Sequence, residues 1–259
     1  MTKKISVLLL VCCITPLFAH ECWIAAQKFV LEKGATAKLS LHVGENFEPE
    51  IWKGSLVSLQ YFWEKKQKNI LPLLKDTVNQ QFELPLEGEG TQLVALNSTD
   101  KYIRLEPEKF NDYLKEDGLF DVLEFRKKNN QLDSFGTELY QRCNKILLQV
   151  GTKKTNIYNT IVGTRLEIIP QQNPYTQPEQ LTVKVLFEGK PVEKSQVVMW
   201  QKIGGKTIKI NQFTDKKGLV TFKPNYTANC MISTVKMVAN DNSTKAQWHS
   251  YWANLTFGL

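Results

Sequence analysis

The sequence predicts a mainly β protein: two β-sandwich-like parts with a small helical insert, the C-terminal part immunoglobulin-like. Three observations carry this expectation. Runs such as "AKLSLHVG" and "LTVKVLF" alternate apolar and polar residues, the period of a strand with one buried face. Turn-forming clusters such as "EKGA", "EGKP", "IGGK" and "TDKKG" separate these runs. Only the stretch from about 106 to 145 changes to helical spacing.

The chain opens with a leader. Lys3 and Lys4 precede the ten-residue apolar run "ISVLLLVCCI", and "TPLFA" ends in the small residue Ala19. This is the pattern of a secretory signal peptide spanning 1–19, too short for a lasting membrane span. A lipoprotein anchor at Cys12 or Cys13 would want a small residue before the cysteine, but Val11 and Cys12 stand there. The expectation is therefore export, to the periplasm or beyond, with His20 as the new first residue and no stable membrane span after cleavage.

A β domain is expected over 20–170. "WIAAQKFVLEKGATAKLSLHVGENF" reads as two strands around a turn, and "SLVSLQYFWEKK" and "TQLVALNS" continue in the same style. In "EPEKFNDYLKEDG", Pro107 suits a first helical turn. Phe110, Tyr113 and Leu114 form an apolar face, and Gly118 suits a stop. "LFDVLEFRKKNNQ" and "SFGTELYQRCNKILLQV" read as two further helical pieces, the second becoming strand near Ile146. Strand-like "RLEIIP" leads into the proline-rich linker "QQNPYTQPEQ". The short, regularly spaced strands of 178–259 then suggest an immunoglobulin-like sandwich.

Composition narrows the function classes. Cleavage after Ala19 leaves 240 residues and lowers the formal charge from +7 to +5. The lysines are interspersed with acids, as in "WEKKQKN", a solvated surface rather than a nucleic-acid-binding face. Three cysteines survive cleavage: Cys22, Cys143 and Cys230. Export permits a disulfide, and three thiols allow one internal pair that spacing does not identify. No nucleophile elbow, HExxH, dinucleotide fingerprint or P-loop occurs, so no catalytic residue is assigned.

The candidate chemistry lies in three histidines. His20 would offer its free amine and imidazole Nδ1 as a chelating pair once the leader is removed. His42 on an early strand and His249 on the last strand are candidates to complete a metal site. A square-planar or tetragonal site of amine, imidazole and further nitrogen or oxygen donors suits Cu(II) or Ni(II). Glu21 and Glu45 are candidate oxygen ligands, and Cys22 lies two residues from His20. Amine and imidazole must both be deprotonated to ligate, so affinity should fall below about pH 6. Trp248, Tyr251, Trp252 and Phe257 read as buried packing, with sugar stacking as the other reading.

The motifs "AHECWI", "LSLHVGENF", "TRLEIIPQQNPY", "LTVKVLFEGKPV", "TDKKGLVTF" and "WHSYWANLTF" occur in that order. With them the mature chain resembles a bacterial periplasmic family named as a domain of unknown function. That family is similar to the NikM-type extracytoplasmic component of nickel and cobalt uptake systems. The resemblance implies a two-part β-rich exported protein with a transition-metal role through His20, the one ligand that it carries over. It points to an accessory protein serving a membrane metal-uptake complex. The alternative is a metal-free binding module for a polysaccharide or envelope protein, and a copper-dependent oxidase ranks last.

Overall fold

The structure, a computed structural model, describes residues 21–241 and 245–258. The leader and His20 lie outside the described residues. No helix among those described is long and apolar enough to cross a membrane.

The N-terminal strands are β1 (Glu21–Ala26), β2 (Val30–Leu31), β3 (Thr36–Gly44), β4 (Glu50–Ile51), β5 (Leu56–Trp63), β6 (Lys66–Asn69), β7 (Gln81–Pro85), β8 (Gly90–Ser98) and β9 (Lys101–Leu105). Helices α1 (Pro107–Glu116) and α2 (Phe120–Lys128) follow, then the long strand β10 (Gly136–Val150). The C-terminal strands are β11 (Leu166–Pro170), β12 (Leu181–Phe187), β13 (Lys190–Pro191), β14 (Gln196–Ile203), β15 (Lys206–Phe213), β16 (Leu219–Phe222), β17 (Asn229–Ala239) and β18 (Trp248–Phe257).

These strands make three layers. A central ten-stranded sheet runs β15-β14-β17-β18-β10-β8-β5-β6, with β2 and β9 also paired to β10. A four-stranded sheet of β1, β3, β4 and β7 covers one face, and a second of β11, β12, β13 and β16 belongs to the C-terminal part. Alternation along the central strands serves both sides. Cys143 and Leu147 of β10 enter the core shared with β11 and β12, while Ile146 and Leu148 enter the core shared with β1 and β3. Residues on both faces of these strands are therefore inside the protein.

The expected division at about residue 170 is not a break in the sheet. β18 pairs in parallel with β10 from Glu138–Trp248 to Ile146–Thr256, and antiparallel with β17. The chain's last strand thus fills a position between strands from both expected parts.

The helical insert is shorter than the sequence predicts. α1 and α2 form as read, with Phe110, Tyr113 and Leu114 buried against Trp248 and Trp252. Gly118 follows at φ 70°, a left-handed position where a Cβ would also meet Gln196. The third expected helical piece is strand from Gly136 onward. Here tertiary pairing overrides local spacing, because β10 is hydrogen-bonded to β18 on one side and to β9 and β8 on the other.

Candidate functional site

The site begins at β1. Glu21 to Ala26 pair with Gly44 to Leu39 of β3, and the strand lies across β10 and β18. Two side-chain bonds fasten it there: Asn254 Nδ2 donates to the Cys22 carbonyl at 2.7 Å, and Thr256 Oγ1 to the Ile24 carbonyl at 2.6 Å. This anchoring places Glu21 over a polar row of the central sheet. Register puts Asn144, Asn254 and Ser233 side by side on β10, β18 and β17.

Two similar relays end on buried carboxylates. Trp200 Nε1 donates to Ser233 Oγ at 3.0 Å, and Ser233 Oγ donates to Glu21 Oε1 at 2.7 Å. Trp252 Nε1 donates to Ser250 Oγ at 2.9 Å, and Ser250 Oγ donates to Glu138 Oε1. Tyr113 of α1 adds its hydroxyl to Glu138 Oε1 at 3.3 Å and stacks on Trp252. The second oxygens of both carboxylates are buried without a hydrogen-bond partner.

Electrostatics make this an acid-rich interior. Burial pushes the Glu138 carboxyl up to about 7, against the opposing pull of Ser250, Tyr113 and Arg142. Burial also raises Glu21, with Ser233 and then Arg142 opposing it. Asp117, half-buried just past α1, is raised well above its ordinary value by desolvation first and the nearby Glu21 charge second. Lys209, over the Trp200 ring at 4.8 Å, pulls Glu21 and Asp117 the other way. Burial thus holds Glu21, Asp117 and Glu138 toward their neutral forms, with Arg142 and Lys209 opposing the shift.

The other predicted residues sit elsewhere. His42 holds Ser40 Oγ at 2.8 Å through Nε2 and the Glu50 carbonyl at 3.2 Å through Nδ1. Burial lowers its pKa, so the ring is neutral at neutral pH. His249 holds Asp100 Oδ1 at 3.2 Å through Nε2 and the Tyr251 hydroxyl at 3.0 Å through Nδ1. Its face of β18 is that of Tyr251 and Ala253, in the core shared with β11 and β12, whereas His42 belongs to the β1–β3 sheet. The structure does not bring these two rings together. Among the described residues, no group of three or more His, Cys, Asp or Glu side chains is arranged to hold a metal ion.

Cys22, Cys143 and Cys230 are free and buried. Burial raises the Cys22 thiol to about 11, which keeps it protonated and a poor ligand at neutral pH. Trp248, Tyr251, Trp252 and Phe257 are core residues, as their alternation suggests. Sequence reasoning named Glu21 but missed Glu138, Arg142, Asn144 and Ser233. The available signal was polar residues at every second position of β10, on a strand whose apolar residues serve two cores.

The family model described as "Domain of unknown function (DUF4198)" matches residues 17–236. None of the curated proteins matches the chain. Among solved structures, a cytokine receptor complex aligns at 10% identity over 91% of this chain and 95% of its own, with a TM-score of 0.22. Dimeric latent PorU from Porphyromonas gingivalis aligns at 10% identity over 90% of this chain and 20% of its own, TM-score 0.20. The three N-terminal domains of the bacteriophage RB49 Highly Immunogenic Outer Capsid protein align at 10% identity over 93% and 70%, TM-score 0.20. Scores this low carry no argument about fold or role.

Proposed function

The chain belongs to the DUF4198 family, and from that premise we propose that it is an exported accessory protein that takes up a Ni(II), Co(II) or Cu(II) ion through His20 and passes it to an envelope uptake system. The observation that supports this reading most is the acid-rich interior around Glu21. His20 is the residue immediately before Glu21. Cleavage after Ala19 would leave an amine and an imidazole on the residue next in sequence to Glu21, whose Oε2 has no hydrogen-bond partner. Nitrogen donors with carboxylate oxygen suit these borderline divalent ions. The ion's charge would also favour the ionised forms of Glu21 and Glu138, which burial disfavours.

In this reading Glu21, rather than His42 or His249, is the candidate second ligand. Both internal rings already use both nitrogens within the protein. The chemistry asked of the protein is capture and release, so no catalytic residue is required. Export, the metal and the NikM-like transport role belong to the same proposal.

The test is calorimetric titration of Ni(II), Co(II), Cu(II) and Zn(II) into naturally exported and cleaved protein, its terminus verified by intact mass. One stoichiometric site is expected, lost in His20→Ala and in protein carrying an extra Met before His20. Binding that ignores both changes would overturn the reading.

A further inference from the structure

A cavity of about 610 Å³ opens beside the start of β5, and none of its lining residues belongs to the Glu21 region. That volume is typical of a small-ligand site. Leu56, Leu71 and Leu74 line it, each half-buried on the outside of the core shared by β1 and β3. Val78 borders it and is 76% exposed, an unusual position for a large apolar side chain.

The walls are fixed by hydrogen bonds. The turn that carries Leu71 is held by the Ile70 amide on the Leu59 carbonyl at 2.9 Å and by the Leu71 amide on Asn69 Oδ1 at 3.0 Å. Buried Gln80 ties two sides together, its Nε2 donating to the Thr77 carbonyl at 2.9 Å and to the Gly54 carbonyl at 3.4 Å. The Thr99 amide fastens the third side to the Ser55 carbonyl at 2.9 Å.

One end of the cavity is cationic. Lys53 lines it, and Lys101 Nζ donates to the Lys53 carbonyl at 2.6 Å, which brings a second ammonium to the same end. No acidic side chain lines the cavity. The acids nearest in sequence are engaged elsewhere. Asp76 accepts the amides of Val78 at 3.2 Å and Asn79 at 2.9 Å, and Asp100 holds His249 at 3.2 Å. An apolar wall ending in two cations fits a molecule with a hydrocarbon body and an anionic end.

We propose that this cavity binds one long-chain fatty carboxylate, its chain against Leu56, Leu71, Leu74 and Val78 and its carboxylate at Lys53 and Lys101. The inference is independent of the metal reading. A concave wall suits a single chain better than a bilayer, to which two ammoniums and one protruding valine offer little anchorage.

The experiment is calorimetric titration of sodium dodecanoate, kept below its micelle concentration, into the processed full chain. One saturable site is expected. Dodecanol, the same chain without the charge, should bind roughly tenfold more weakly. Replacing both lysines, Lys53→Gln with Lys101→Gln, should weaken dodecanoate to the level of dodecanol. Val78→Asp removes apolar contact and adds a like charge at an exposed position, so it should cost roughly tenfold or more. Circular dichroism should be unchanged in these variants. Absent or unsaturable dodecanoate binding, equal affinity for dodecanol, or full affinity in Val78→Asp would each overturn the proposal. So would co-sedimentation with phosphatidylglycerol vesicles without a site for free dodecanoate, which would make this a membrane-facing surface.

Discussion

At the residue scale, Glu138 is the most informative single group. Its carboxyl titrates near 7 because burial outweighs the help of Ser250, Tyr113 and Arg142. The folded protein therefore holds this proton more tightly than the unfolded chain does. Stability is fully present below the ordinary carboxylate value and is lost as pH rises toward 7, then levels off. Glu138→Gln keeps an acceptor for Ser250 and removes the titration. Relative to wild type, the variant should gain on the order of 2–3 kcal/mol between pH 4.5 and 8. Urea unfolding across that range measures the gain, and parallel curves for the two proteins would refute it. A smaller slope should survive in the variant, because Glu21 and Asp117 are raised in the same direction. The histidines were legible as chemistry-bearing residues, but their hydrogen-bond partners were not. Asp100 and Glu50 lie far from His249 and close to His42 in sequence, and only the fold shows that both rings are engaged.

At the scale of elements, β10 and β11 show how one strand pair fixes a loop. Lys145 Nζ meets Glu167 Oε1 at 2.5 Å with both side chains buried. Glu167 also accepts the amides of Val162 at 2.6 Å and Gly163 at 3.2 Å. Lys145→Met would strand a buried carboxylate and should cost about 3–5 kcal/mol. Adding Glu167→Leu should recover only part of this, because the two loop amides then lose their acceptor. Denaturation midpoints of the single and double variants test the prediction, and equal midpoints for Lys145→Met and wild type would contradict it. Most strands, the first two helices and the hairpin turns could be read from periodicity and turn chemistry. β10 could not, because its polar residues, buried on the face of Glu138 and Arg142, break the apolar alternation that marks a strand.

At the scale of the whole molecule, the ten-stranded sheet ties the two expected parts together. A chain ending at residue 177 would lose β18, which lines β10 over nine register positions, Glu138–Trp248 to Ile146–Thr256. It would also lose Asn254 and Thr256, which hold β1 in place. Such a fragment should show no cooperative thermal transition, and a sharp one would mean that 20–170 folds by itself. Ligand binding should act on the same cooperative unit. A saturating metal at about 100 times its Kd should stabilise the processed protein by about 2.7 kcal/mol, an effect absent in His20→Ala. The gain should shrink as pH falls below about 6, where the imidazole takes up its proton. Differential scanning calorimetry at pH 5.5 and 7.5 would show this. The sequence by itself determined the β class and the two helices, because each depends on local spacing and side-chain chemistry. Tertiary structure alone decided that Glu21, Glu138 and Arg142 share one buried region. Their proximity comes from strands paired across more than a hundred residues of chain, and desolvation acts on the environment that this pairing builds.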